Sequence, residues 1–155
     1  MNELQALATI GGSLALIGGL AGSAIGIGLA ATAGVATLSE DSGQLRNVVV
    51  LASLPMTQTF YGLIILIIIL TVVIPNMPTS GSAGLAIAAI GTMGGAAELF
   101  SAIFQGSVCA SGIALLPKTR GQILTSSMML AVFVELIGVL GLVFVIMAFS
   151  ILKLM

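Results

Sequence analysis

Residues 53–71 read SLPMTQTFYGLIILIIILT. Its second half is hydrocarbon of the grade that lipid accepts, while its first third carries Thr57, Gln58, Tyr61 and the helix breaker Pro55. A span that only anchors has no use for such groups, so this stretch sets both the fold question and the chemical one.

The composition answers the first. Of 155 residues, 59% are hydrophobic and 6% charged, with a mean hydropathy of +1.29. A soluble domain carries about a quarter of its residues as charges, so the chain is an integral membrane protein. It has no basic patch of the kind that binds nucleic acid. It also lacks histidine and has one cysteine, Cys109, which excludes an internal disulfide and a His/Cys metal centre. Cys109 sits among small residues and reads as a packing residue. No Lys or Arg precedes Arg46, so the first apolar run is expected to be a retained span and not a signal peptide.

Three polar breaks, SEDSGQLRN (39–47), PNMPTSG (75–81) and PKTRGQ (117–122), divide the chain into four apolar runs. A span needs roughly 20 residues. The expected fold is therefore all-α, with four transmembrane helices at 4–38, 48–74, 82–116 and 123–153, long enough to tilt or project. Short connections pair them into two antiparallel hairpins, 1–78 and 79–155. Arg46, Lys118 and Arg120 lie in the first and third breaks and only Lys153 on the other side. This bias places those two loops in the cytoplasm and both termini outside.

The halves resemble each other. A displacement of 78 residues lays Ser23-Ala24-Ile25 on Ser101-Ala102-Ile103, Gly28 on Gly106, Gly34 on Gly112 and Gly43-Gln44 on Gly121-Gln122. A tandem hairpin duplication explains the last pair, which sits in corresponding loops. The copies run in the same direction, as suits an element arrayed side by side. Helix 1 carries Gly18, Gly22, Gly26, Ala30 and Gly34 at every fourth position, and helix 3 a shorter stripe of Ala102, Gly106, Ala110 and Ala114. Small-xxx-small stripes let helix backbones approach closely. The long one is expected to build a tightly packed inner ring, with helix contact inside one subunit as the alternative.

Glu135 stands in AVFVELIGVLG, 13 residues beyond the third break, or roughly 20 Å along a helix. An ionised carboxylate at that depth costs about 2.5–3.5 kcal/mol on insertion scales, so it must be protonated, paired or bound to a cation. Gln58 on helix 2 and Gln105 on helix 3 each lie about ten residues from a loop on the same side, which brings them to the level of Glu135. Leu54, Thr57, Gln58 and Tyr61 recur at spacings of three and four and share one helical face. Pro55 loosens backbone carbonyls beside them. A protonated acid needs one acceptor, whereas a small hard cation stripped of water needs several oxygens. The oxygen count favours an alkali cation, sodium as its natural candidate, with Glu135 balancing the charge.

With its duplicated hairpin, Gly-rich first helix and the runs LPMTQTFYG, SAIFQGSVCASGIALL and VELIGVLG, the chain resembles the rotor-ring subunit of V/A-type rotary ATPases. It is most similar to the sodium-translocating branch, whose subunit is called K or the proteolipid. The resemblance covers nearly the whole chain. It implies that the Leu54 carbonyl, Thr57, Gln58, Gln105 and Glu135 bind Na+, and that Tyr61 closes the site by a hydrogen bond to the carboxylate. It implies one ion per duplicated subunit, because the first hairpin has Met56 or Thr57 at the depth of Glu135. It further implies a homo-oligomeric ring in the lipid bilayer, a stator with a buried Arg, and a central stalk met by the loops 39–47 and 117–122. No ATP hydrolysis is expected in this chain itself.

Three rival readings stay open. One is the same rotor carrying protons on Glu135, another a small four-helix cation or drug antiporter, and the third a membrane scaffold that transports nothing. Glu98 departs from the family pattern. Seven residues before Gln105, it is open to reading as a protonated packing residue, a side chain facing the ring lumen or a group on the ion's access path.

Overall fold

The computed structural model describes residues 2–155. Four helices are long and apolar enough to cross a membrane: α1 Glu3–Glu40, α2 Ser42–Asn76, α3 Ala83–Ala114 and α4 Leu124–Ile151. No strand occurs among the described residues. The chain is a four-span, multi-pass membrane protein.

The helix ends differ from the sequence expectation mainly at the first break. Only Asp41 leaves the helical path between α1 and α2, and its carboxylate accepts from the Gly43 backbone N–H at 3.0 Å and from the Gln44 side-chain amide at 2.9 Å. One capping residue thus replaces the predicted nine-residue loop. At the third break a short helical turn, Leu116–Thr119, is stopped by Arg120 and Gly121, both at positive φ (51° and 82°). Gly121 abuts the side chains of Gln44 and Asn47, so the first and third connections lie at the same end of the molecule.

Prolines shape α2. Pro55 has no N–H to give, and residues Leu54–Met56 tighten into a 3₁₀ turn in which the Thr57 N–H bonds to the Leu54 carbonyl. Pro75 likewise cannot bond to the preceding turn, and the segment before it, Ile69–Val73, widens into a π-helix.

α1 and α3 pack in parallel, backbone against backbone. A Cβ on Gly11 would stand 2.6 Å from Ala88 Cα, and one on Gly22 2.7 Å from the Leu99 carbonyl; Gly18 meets Gly95 and Gly26 meets Ala102. The small-residue stripe of α1 is therefore used inside the chain, against α3, and Gly34 at its end faces Val48 of α2. α2 and α4 flank this central pair, α2 lying on α1 and α4 on α3.

Two apolar clusters divide the interior. Ala8, Ile65, Ile69, Ile87, Val145 and Phe149 belong to one, toward the chain termini; Ala30, Leu51, Cys109, Ile113 and Ala131 belong to the other, toward the first and third connections. On α2, α3 and α4 alike, the polar residues lie between them.

Candidate functional site

The candidate residues meet in that middle layer. Gln58 and Gln105 are fully buried, at 0% exposure, and Glu135, Tyr61, Thr57 and Leu54 are half-buried. Tyr61 donates its hydroxyl to Glu135 Oε1 at 3.3 Å, and Gln105 donates Nε2 to Glu135 Oε2 at 3.3 Å. Gln58 donates Nε2 to Gln105 Oε1 at 2.9 Å. Both oxygens of Glu135 thus face donors from other helices, one from α2 and one from α3. The sequence between Arg46 and Lys118 and between Arg120 and Lys153 contains no basic residue, so no side-chain cation of the spans balances the carboxylate.

The 3₁₀ turn at Pro55 brings three oxygens of α2 together. Thr57 Oγ1 lies 3.3 Å from the Leu54 carbonyl and 3.2 Å from Gln58 Oε1. Hydroxyl hydrogen bonds ordinarily run from about 2.5 to 3.0 Å, so these contacts are long. Oxygens that share one cation at about 2.4 Å stand about 3.4 Å apart when at right angles, the separation this cluster approaches. Neutral oxygens, a carboxylate and no resident counter-charge form a set that suits a hard monovalent cation.

All six residues named from the sequence come together here. Ser101 was not among them. Buried at 2% exposure, it accepts from Gln58 Nε2 at 3.1 Å and donates to the Val134 carbonyl at 3.0 Å, so it joins α2, α3 and α4 one residue before Glu135. Its position four residues before Gln105 puts it on the same face of α3, a signal easily overlooked because serine is common in apolar helices for local reasons. Glu98 is fully buried too, and both its oxygens lack partners. It is oriented toward α4, against Gly138 and Gly141.

The sequence profile of the ATP synthase C subunit matches residues 10–69 and again residues 82–148. The chain belongs to the ATP synthase C subunit family. Each match takes in one helical pair, α1 with α2 and α3 with α4. Among curated members, the K subunit of the A-type ATP synthase of Methanocaldococcus jannaschii is 35% identical over 142 residues, which is 89% of this chain and 61% of that one. The chain thus spans about 61% of the length of this relative. Within the family match, Gln58 falls in the first matched segment and Gln105 and Glu135 in the second.

Proposed function

We propose that this chain is the rotor-ring subunit of an A/V-type rotary ATPase and that each copy carries one Na+ at mid-membrane. The Leu54 carbonyl, Thr57, Gln58 and Gln105 supply neutral oxygens, Glu135 supplies the charge, and Tyr61 holds the carboxylate in place. The observation that carries the reading is that Thr57 Oγ1 stands 3.3 Å from the Leu54 carbonyl and 3.2 Å from Gln58 Oε1, in the same polar layer as a carboxylate that no basic side chain pairs.

Loading would make the site neutral, and a neutral site can travel through lipid. Release would leave a bare Glu135 carboxylate, which is tolerable only beside a positive charge such as a buried stator Arg. Rotation and transport are coupled by that alternation. Copies would associate head to tail into a closed ring, as tandem hairpins, 1–78 and 79–155, would. The first and third loops, 39–47 and 117–122, would face the cytoplasm and meet a central stalk, with both termini on the other side. In the 78-residue register Thr57 is the counterpart of Glu135, which supports one ion per chain.

Proton transport on Glu135 is the rival. A protonated acid needs only one acceptor, which the Tyr61 hydroxyl 3.3 Å from Glu135 Oε1 can supply, and it leaves the oxygens of Leu54, Thr57 and Gln58 without a task, so the oxygen count favours the anion with a bound cation. Carbodiimide attacks the protonated acid, so near neutral pH sodium should suppress labelling of Glu135 in the purified ring. Labelling indifferent to sodium would reject the sodium reading in favour of the proton one.

A further inference from the structure

Glu98 is the second acid within the spans, and the site just described makes no use of it. It is fully buried, at 0% exposure, and neither carboxylate oxygen has a hydrogen-bond partner. Its position is built, not accidental, because Gly138 of α4 makes room for its carboxyl and Gly141 for the neighbouring Ala97. A Cβ on Gly138 would stand 2.7 Å from Glu98 Oε2, and one on Gly141 would stand 2.6 Å from Ala97 Cβ and 3.5 Å from Glu98 Oε1. The carboxyl is thus seated in the contact between α3 and α4, away from lipid and water.

A bare charge cannot stay there, since burial removes its hydration and nothing opposite replaces it. A metal cation or a proton could neutralise it. A hard cation wants several oxygens around it, but of the three atoms nearest a Cβ placed on Gly138 only one besides Glu98 Oε2 is an oxygen, Ser101 Oγ. Ser101 is already committed to the Val134 carbonyl and the Gln58 amide. A proton needs a single lone pair, and an unmet O–H costs far less than an unmet charge.

We infer that Glu98 is a proton-binding site separate from the Glu135 site, holding its proton as a neutral acid whether or not Glu135 is loaded. The chain then has two acids at membrane depth, one that exchanges its ligand and one that does not, and the charge change on loading is confined to Glu135. The inference rests on the sodium reading only for what Glu135 carries.

Infrared spectra of the purified ring, with saturating sodium and without it, test this. In the wild-type ring with sodium a carboxylic-acid C=O band should be present. The same band should persist in Glu135→Gln and vanish in Glu98→Gln, while bound sodium stays at one per chain in Glu98→Gln. Should Glu98→Gln fail to assemble, Glu98→Asp makes the same assignment by shifting the band. The absence of any Glu98-dependent acid band would overturn the inference, as would two sodium ions per chain falling to one in Glu98→Gln. A proton rotor would look different again, with a second acid band that survives sodium and disappears in Glu135→Gln, leaving the Glu98 band as it was.

Discussion

Replacing Gln105 with alanine should weaken sodium binding about thirty-fold and leave the ring assembled. Gln105 links the two sides of the site, since its Nε2 donates to Glu135 at 3.3 Å and its Oε1 accepts from Gln58 at 2.9 Å. A hydrogen bond to a charged group contributes about 1.5–3 kcal/mol. The length of 3.3 Å argues for the lower part of that range, about 2 kcal/mol. At 1.36 kcal/mol per tenfold, that is a factor of about thirty in affinity. Gln58 would not be orphaned, because Ser101 still accepts from its amide at 3.1 Å, so the helices keep their polar connection. Equilibrium binding of radioactive sodium to purified rings gives the affinity, and the sedimentation of the same rings shows assembly. An affinity within twofold of wild type in an intact ring would remove Gln105 from the site.

Glu135→Gln should abolish ion transport by the reconstituted complex while the chain still inserts and assembles; transport at the wild-type rate would refute the role of the carboxylate. Tyr61→Phe loses one 3.3 Å bond to the same carboxylate, about 1.5–2 kcal/mol at the lower end of the range for a charged acceptor, and should lower sodium affinity about ten- to thirty-fold in the same tracer assay, with an unchanged affinity counting against its closing role. Gly18→Val drives a side chain into the Gly95 backbone and should prevent recovery of folded protein, whereas Gly28→Val, where a Cβ meets nothing within 4 Å, should fold; equal recovery of the two would contradict the packing of α1 on α3.

The spans and the gathering of the six candidate residues were legible in the sequence because each depends on a property that sequence spacing fixes. Four apolar runs and three breaks fix four helices, and distance from the breaks fixes the common depth of Gln58, Gln105 and Glu135. Which atoms touch was less legible. Asp41 alone turns the chain between α1 and α2, since polar residues such as Gln44 and Asn47 continue the helix and bond to one another at 2.8 Å. The glycine stripe announces close approach but not its partner, and the partner is α3 of the same chain. Ser101 carries no charge and no rarity to mark it, yet its place between three helices makes it the hinge of the polar layer. Its counterpart in the 78-residue register, Ser23, is buried with no partner for its hydroxyl, as expected if only the second half kept a site. The setting of Glu98 could not be read from α3 at all, because the room for its carboxyl is made by Gly138 on another helix.

A high-resolution structure of the purified ring in sodium, compared with one in its absence, tests the central claim most directly. The account predicts a sodium-dependent peak about 2.3–2.6 Å from oxygens of Leu54, Thr57, Gln58, Gln105 and Glu135. It would be contradicted by a Glu135 that meets only Tyr61 and Gln105 in both conditions, with no such peak in either.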